Sequence, residues 1–261
     1  MITRRTALAF GAAALASRAH AEDVPLRALA AATGIVFGSA AASYEWRDAD
    51  FPPLLAREAA VLVPEYEMKR DVLEPVRGAY DFSGCDALMD FARRRDLAMR
   101  GHPLVWHESN PPWLEAAVRQ TRDARLLTDH VTKVVRRYRG AMRSHDVVNE
   151  ALVPPDEGAT GPRPSFWFQV FGPHYLDLAF HAARAADPAA LLVYNDFGCE
   201  AGSPAHDRFR RQTLNLLDGL LKRGAPVQGL GIQGHLTPFG PRVDQPTLSA
   251  FLAEVAARGL A

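Results

Sequence analysis

The chain has 261 residues, of which 48% are hydrophobic and 23% charged, enough apolar content for a sizeable packed core. Its 30 Lys and Arg residues balance 30 Asp and Glu residues, for a formal net charge of +0. That balance offers no broad attraction to nucleic acid or an anionic membrane, so the expected partner is an uncharged polymer or small neutral ligand.

The N-terminus reads as a targeting segment rather than as fold. Thr3-Arg4-Arg5-Thr6 is a charged start, residues 7–16 form a short Ala/Leu-rich run, and Ala19-His20-Ala21 resembles a cleavage site. The paired arginines favour a twin-arginine signal over residues 1–21. The expectation is export to the periplasm or the medium, with a mature protein starting near Glu22 and no membrane-spanning segment in it.

From there, short apolar runs alternate with longer stretches of helical period. The runs 34–40, 60–64, 98–106, 144–149, 191–195 and 229–234 read as strands. Residues 85–95, 126–138, 175–186, 206–223 and 245–258 read as amphipathic helices. Phe166-Trp167-Phe168 opens a further helix-like stretch and reads as a packing cluster. The two cysteines, Cys85 and Cys199, show no metal or redox spacing and read as small apolar residues without a bridge.

Alternation of this kind predicts parallel βαβ units. Each predicted strand ends in polar groups: Glu65, then His102 to His107, Asn149-Glu150, Asn195-Asp196, and Gln233 with His235. Functional groups repeated at successive strand ends favour a (β/α)8 TIM barrel, because a doubly wound sheet gathers its ligand groups at one switch point. No G-x-G-x-x-G occurs. About six of the eight βα units are accounted for, so residues 22–261 read as an incomplete barrel ending at the entry to a seventh strand.

Within His145-Asp146-Val147-Val148-Asn149-Glu150-Ala151, the pair Val147-Val148 buries a strand and Asn149-Glu150 emerges at its rim. A carboxyl held there, beside an amide that can fix a sugar hydroxyl, suits an acid that protonates a glycosidic oxygen. Gln233 and His235 lie two apart on a strand and so share a face.

Taken together, these segments resemble glycoside hydrolase family 10, the retaining endo-β-1,4-xylanases. Pro64-Glu65-Tyr66-Glu67-Met68-Lys69-Arg70 is similar to that family's P-E-N-x-M-K-W segment, and Arg100-Gly101-His102-Pro103-Leu104-Val105-Trp106-His107 to its R-G-H-x-L-V-W-H. The segment from His145 to Ala151 is similar to W-D-V-V-N-E-A, and Tyr194-Asn195-Asp196 and Gly231-Ile232-Gln233-Gly234-His235 to the fifth- and sixth-strand motifs. The resemblance implies Glu150 as general acid/base and Asn149 as its neighbour on the sugar 2-hydroxyl. It implies Glu65, Lys69, His102 and Trp106 as walls of the glycone subsites, Asn195 as a cleft-lining residue, and Gln233 and His235 as the pair that positions the nucleophile and the reacting sugar. His107 is expected to be structural.

Six positions depart from the family pattern: Tyr66 for Asn, Arg70 for Trp, Glu108-Ser109 for Ser-Gln, His145 for Trp, and Phe197 for Tyr. The nucleophile of the family lies on its seventh strand, so this chain is expected to lack it. The resemblance implies retaining hydrolysis of xylan or xylo-oligosaccharides, with no cofactor or metal and a monomeric state for a complete barrel. The alternative reading is a non-catalytic xylan-binding remnant. A metal-dependent hydrolase is disfavoured, since none of the nine histidines has H-x-H or H-E-x-x-H spacing.

Overall fold

The computed structural model describes residues 24–236, 239–240 and 242–261; the predicted signal segment lies outside them. Six strands form one sheet in chain order: β1 (Gly38–Ala41), β2 (Val61–Pro64), β3 (Ala98–Gly101), β4 (Met142–Asn149), β5 (Leu191–Asp196) and β6 (Gly229–Ile232). Every neighbouring pair is parallel. With helices in the crossovers this is the predicted architecture, part of a (β/α)8 barrel.

The helices are α1 (Leu26–Ala31), α2 (Phe51–Glu58), α3 (Arg70–Leu73), α4 (Ser83–Arg94), α5 (Pro112–Thr121), α6 (Arg125–Arg137), α7 (Phe166–Phe171), α8 (His174–Ala186), α9 (Pro204–Lys222) and α10 (Gln245–Ala257). Their apolar stripes explain their seating. In α4, Cys85, Leu88, Met89, Phe91 and Ala92 are buried, and in α6, Leu127, Val131, Val134 and Val135, at helical spacing. Both stripes belong to one continuous core shared with Leu62, Met99, Val147 and Leu192 of the strands.

Two helices, α2 and α5, carry prolines in their first turn and were not among the predicted elements. Proline there loses only an N–H that has no partner inside the helix, so a residue that reads as a breaker marks a start. The run predicted as a strand over 98–106 divides. β3 stops at Gly101, Pro103 supplies no N–H, and Leu104 and Val105 then donate to the carbonyls of Asp146 and Val147 at 2.9 and 3.0 Å. The first strand starts later than its apolar run, because Gly34 (φ +78°) turns the chain after α1.

β4 holds the site in place. From Ser144 to Asn149 it is buried on both faces, as a central parallel strand should be. Its register slips by one residue against β5 between Asp146 and Val148. Such a bulge re-aims the side chains that follow it, here Asn149 and Glu150. After α10 the chain returns beside β6, where the Ala261 N–H donates to Gln228 and the Ala261 carbonyl accepts from Leu230, both at 2.9 Å.

Candidate active site

Glu150 directly follows β4 and is 9% exposed. Its φ of +56° is left-handed, a conformation that L side chains hold only when surroundings impose it. The surroundings do so from both sides. The Glu150 N–H donates to the Asn195 carbonyl at 2.8 Å, and its own carbonyl accepts from Arg163 Nε at 3.0 Å.

Three N–H donors meet the Glu150 carboxyl. Trp106 Nε1 donates to Oε2 at 2.8 Å, while Asn149 Nδ2 and Gln233 Nε2 each donate to Oε1 at 3.0 Å. Gln233 Nε2 also reaches Asn149 Oδ1 at 3.1 Å, and Asn195 Nδ2 donates to that same oxygen at 2.7 Å. His235 Nε2 lies 2.7 Å from Gln233 Oε1. Residues from β3 through β6 thus form one network around a carboxyl, each fixing the orientation of the next.

The network faces a cavity of about 380 Å³ lined by Glu65, Lys69, Arg100, His102, Asn195, Gln233 and His235 among others. Trp106, Asn149 and Glu150 line the crevice beside it. All nine residues that the resemblance singles out therefore lie at one end of the sheet, although they come from five separate strand ends. His102 is aimed by Asp146, whose Oδ2 lies 2.9 Å from Nδ1. Asp146 is in turn gripped by Arg100 through Nη2 and Nε at 2.6 and 3.1 Å.

Several supporting residues were not singled out from the sequence. Asp196 is almost fully buried, and that burial, with the Glu150 charge adding to it, lifts its carboxyl to about 7. Glu200 joins two loops by accepting from Gly198 and Gly234 N–H at 2.7 and 2.6 Å, beside Gln233 and His235. Gly231 leaves the room Asn195 needs: a Cβ there would sit 2.1 Å from Asn195 Oδ1. Asp146 and Asp196 adjoin residues that were singled out, so adjacency within a motif was the available signal. Glu200 had none. His107, expected to be structural, sits with Nδ1 3.9 Å from Glu150 Oε2. Burial, then the nearby Arg163, hold its imidazole below its ordinary range.

Residues 25–261 match the family model of glycosyl hydrolase family 10. The chain belongs to this family. It is 36% identical over 219 residues to endo-1,4-beta-xylanase B of Thermotoga neapolitana, a match covering 82% of this chain and 61% of that relative. Among solved structures, native xylanase 10B from Thermotoga maritima superposes with a TM-score of 0.80 at 33% identity, covering 91% of this chain and 71% of that one. Xylanase 10B from Thermotoga petrophila in complex with xylobiose gives 0.79 at 32% identity, covering 91% and 71%.

The departures from the family pattern have structural settings of their own. Arg70 is buried and pairs with Glu74 through Nη2 at 3.0 Å, its guanidinium 5.5 Å from the Trp113 ring centre. Phe197 packs edge-on against His235 with ring centres 5.8 Å apart. His145 is fully buried against Gly101, where a Cβ would lie 2.4 Å from its Nδ1, and neither ring nitrogen has a hydrogen-bond partner. Cys85 and Cys199 are buried free thiols, both pushed up to about 12 by burial. Among the described residues no group of three or more His, Cys, Asp or Glu is placed to hold a metal, and no helix is long and apolar enough to cross a membrane.

Proposed function

We propose that this chain carries the acid/base side of a retaining endo-1,4-β-xylanase cleft, acting on xylan or xylo-oligosaccharides. The observation that carries the reading is the buried Glu150 carboxyl, fixed by Trp106, Asn149 and Gln233, the last of which also lines the 380 Å³ cavity. In this reading Glu150 protonates the glycosidic oxygen as the bond breaks, then draws a proton from the water that completes turnover. Asn149, oriented by Asn195 and Gln233, offers its second amide hydrogen to the 2-hydroxyl of the reacting sugar. With Nδ1–H of His102 given to Asp146, its Nε2 is left to accept from a sugar hydroxyl. Lys69 and Glu65 complete a polar wall suited to an uncharged pyranose.

Retention requires a second carboxyl ~5–5.5 Å from the first. The family resemblance assigns it to the seventh barrel strand. Asp196 does not fit that part, because the Tyr194 hydroxyl and the Phe197 N–H (2.9 Å) hold its oxygens in the protein interior. The N-terminal sequence supports export of the protein, which detection in a periplasmic or culture fraction would test.

Calorimetric titration with xylohexaose, run beside an assay for new reducing ends, tests the cleft. Binding that Asn149→Ala and His102→Ala each weaken about tenfold is expected, a loss of ~1.4 kcal/mol. No binding at millimolar sugar would overturn the reading. Reducing-end release abolished by Glu150→Gln supports hydrolysis, whereas binding without release supports the non-catalytic alternative.

A further inference from the structure

Beyond Lys69 lie two exposed aromatic rings that the roles above leave unused. Tyr44 follows β1 and is 52% exposed; Tyr66 follows β2 and is 43% exposed. Their ring centres are 6.0 Å apart with planes inclined at 46°. Large rings presented to solvent side by side are a common mark of a binding surface.

The pair is held from below. Glu67, only 6% exposed, accepts the Ser43 N–H at 2.5 Å and the Tyr66 N–H at 3.3 Å, so one carboxylate ties the loop after β1 to the loop after β2. Gly84 packs against it so closely that a Cβ there would lie 2.9 Å from Glu67 Cγ. Glu45 adds a second brace by accepting the Ala42 N–H at 2.8 Å. The rings therefore stand in place without a ligand to order them.

They also continue the cleft. Trp106 donates to Glu150, Lys69 Nζ lies 5.6 Å from the Trp106 ring centre, and the same ammonium lies 4.4 Å from the Tyr66 ring centre. A row of Glu150, Trp106, Lys69, Tyr66 and Tyr44 thus runs from the acid towards the rim.

We propose that Tyr44 and Tyr66 form a preorganised stacking platform for one further pyranose of a β-1,4-linked xylo-oligosaccharide, at the outer end of the glycone side. The proposal rests on the xylan reading of the cleft. A pyranose presents an apolar C–H face with hydroxyls around its edge, and a tyrosine pair offers the matching ring faces and phenol groups. Because Glu67 already orders the loops, little freedom is lost when the sugar docks. Where the family pattern has Asn, Tyr66 makes this platform a feature of the present chain.

The experiment is calorimetric titration of the chain and of Tyr44→Ala and Tyr44→Phe with xylobiose and xylopentaose. Tyr44 is chosen because Lys69 packs on Tyr66, so its removal leaves that contact intact. Tyr44→Ala should lower the ratio of xylopentaose to xylobiose affinity by about three- to tenfold, and Tyr44→Phe should keep the ratio within about twofold of the parent. A second measurement needs no variant: ring resonances of Tyr44 should shift when the parent chain is saturated with xylopentaose. An unchanged ratio in Tyr44→Ala, an equal loss in Tyr44→Phe, or unshifted rings at saturation would overturn the platform alone. Failure of the parent chain to bind either sugar would overturn the platform and the xylan reading together.

Discussion

Two polar clusters of this chain obey opposite logic. At the strand ends, Glu150, Asn149, Asn195 and Gln233 satisfy one another, and Asn195 and Gln233 also line a cavity. In the helix layer, Arg70 is closed over by Glu74, whose Oε2 also accepts from the Tyr80 hydroxyl at 2.9 Å, and Tyr80 meets His130 Nδ1 at 3.0 Å. His145, on β4 beside Gly101 of β3, has no hydrogen-bond partner at either ring nitrogen. The first cluster is made of groups that a sugar can join. The second is built on a buried ion pair, Arg70 with Glu74, whose members must compensate each other, and it too borders a cavity, of about 330 Å³, lined by Arg70, Glu74, Tyr80 and His130. Neither buried polarity nor an adjoining cavity therefore marks a site by itself; the first cluster is set apart by its place at the carboxyl ends of the strands.

Substitutions can break that contrast, and the largest effect belongs to the ion-paired cluster. Glu74→Ala would strand the Arg70 guanidinium in the interior and cost ~3–5 kcal/mol, read by urea denaturation. A loss below ~1 kcal/mol would mean that Arg70 finds solvent, and the contrast would fail. Next comes Trp106→Phe, which takes the indole N–H from Glu150 Oε2 and should cost ~1–3 kcal/mol while weakening xylo-oligosaccharide binding. Stability lost with affinity unchanged would place Trp106 in the core rather than in the cleft.

His145→Phe should act in the opposite direction. It replaces an unsatisfied imidazole by a ring of similar shape and should stabilise by ~1 kcal/mol at pH 7. Burial pushes His145 down to about 4 from an ordinary 6.5, so the folded chain binds fewer protons than the unfolded one between those values. Its contribution is accordingly present above pH 6.5 and lost as pH falls through 4, at up to ~1 kcal/mol per pH unit. His130, held low first by burial and then by Arg70 and Lys133, works in the same direction. Asp196, lifted to about 7, works in the other: its neutral form is favoured on folding, so its contribution declines as pH rises from about 4 through 7. Thermal midpoints at pH 5 and 7 should therefore differ less in His145→Phe than in the parent, and equal slopes would contradict the assignment. The smallest effect is expected from Arg137→Ala, which removes a solvent-accessible pair with Asp86 and should cost under ~1 kcal/mol.

Much of this was legible before any coordinates. The apolar runs of β2, β4, β5 and β6 read as strands because parallel strands are buried on both faces, and the polar residues after them marked the functional end of the sheet. Helices α2 and α5 escaped notice because proline at a helix start looks like a break in the pattern. The Tyr44–Tyr66 pair was equally hidden, since 21 residues lie between two tyrosines that Glu67 brings together from below. His145 stood out as a departure, but not its lack of partners.

The amino-acid sequence by itself determined much of the order of strands and helices, the end of the sheet where polar side chains gather, and the family to which its motifs belong. Each of these follows from local burial patterns and short spacings, which are properties of neighbouring residues. Only the tertiary structure decided which groups touch Glu150: Trp106 from 44 residues away and Gln233 from 83. It also decided that Asp146 serves His102, that Arg70 is closed off, and that two loop tyrosines stand together. Those pairings depend on the register of one strand against the next and on a one-residue bulge in β4, quantities that accumulate over the whole sheet and are encoded at no single position.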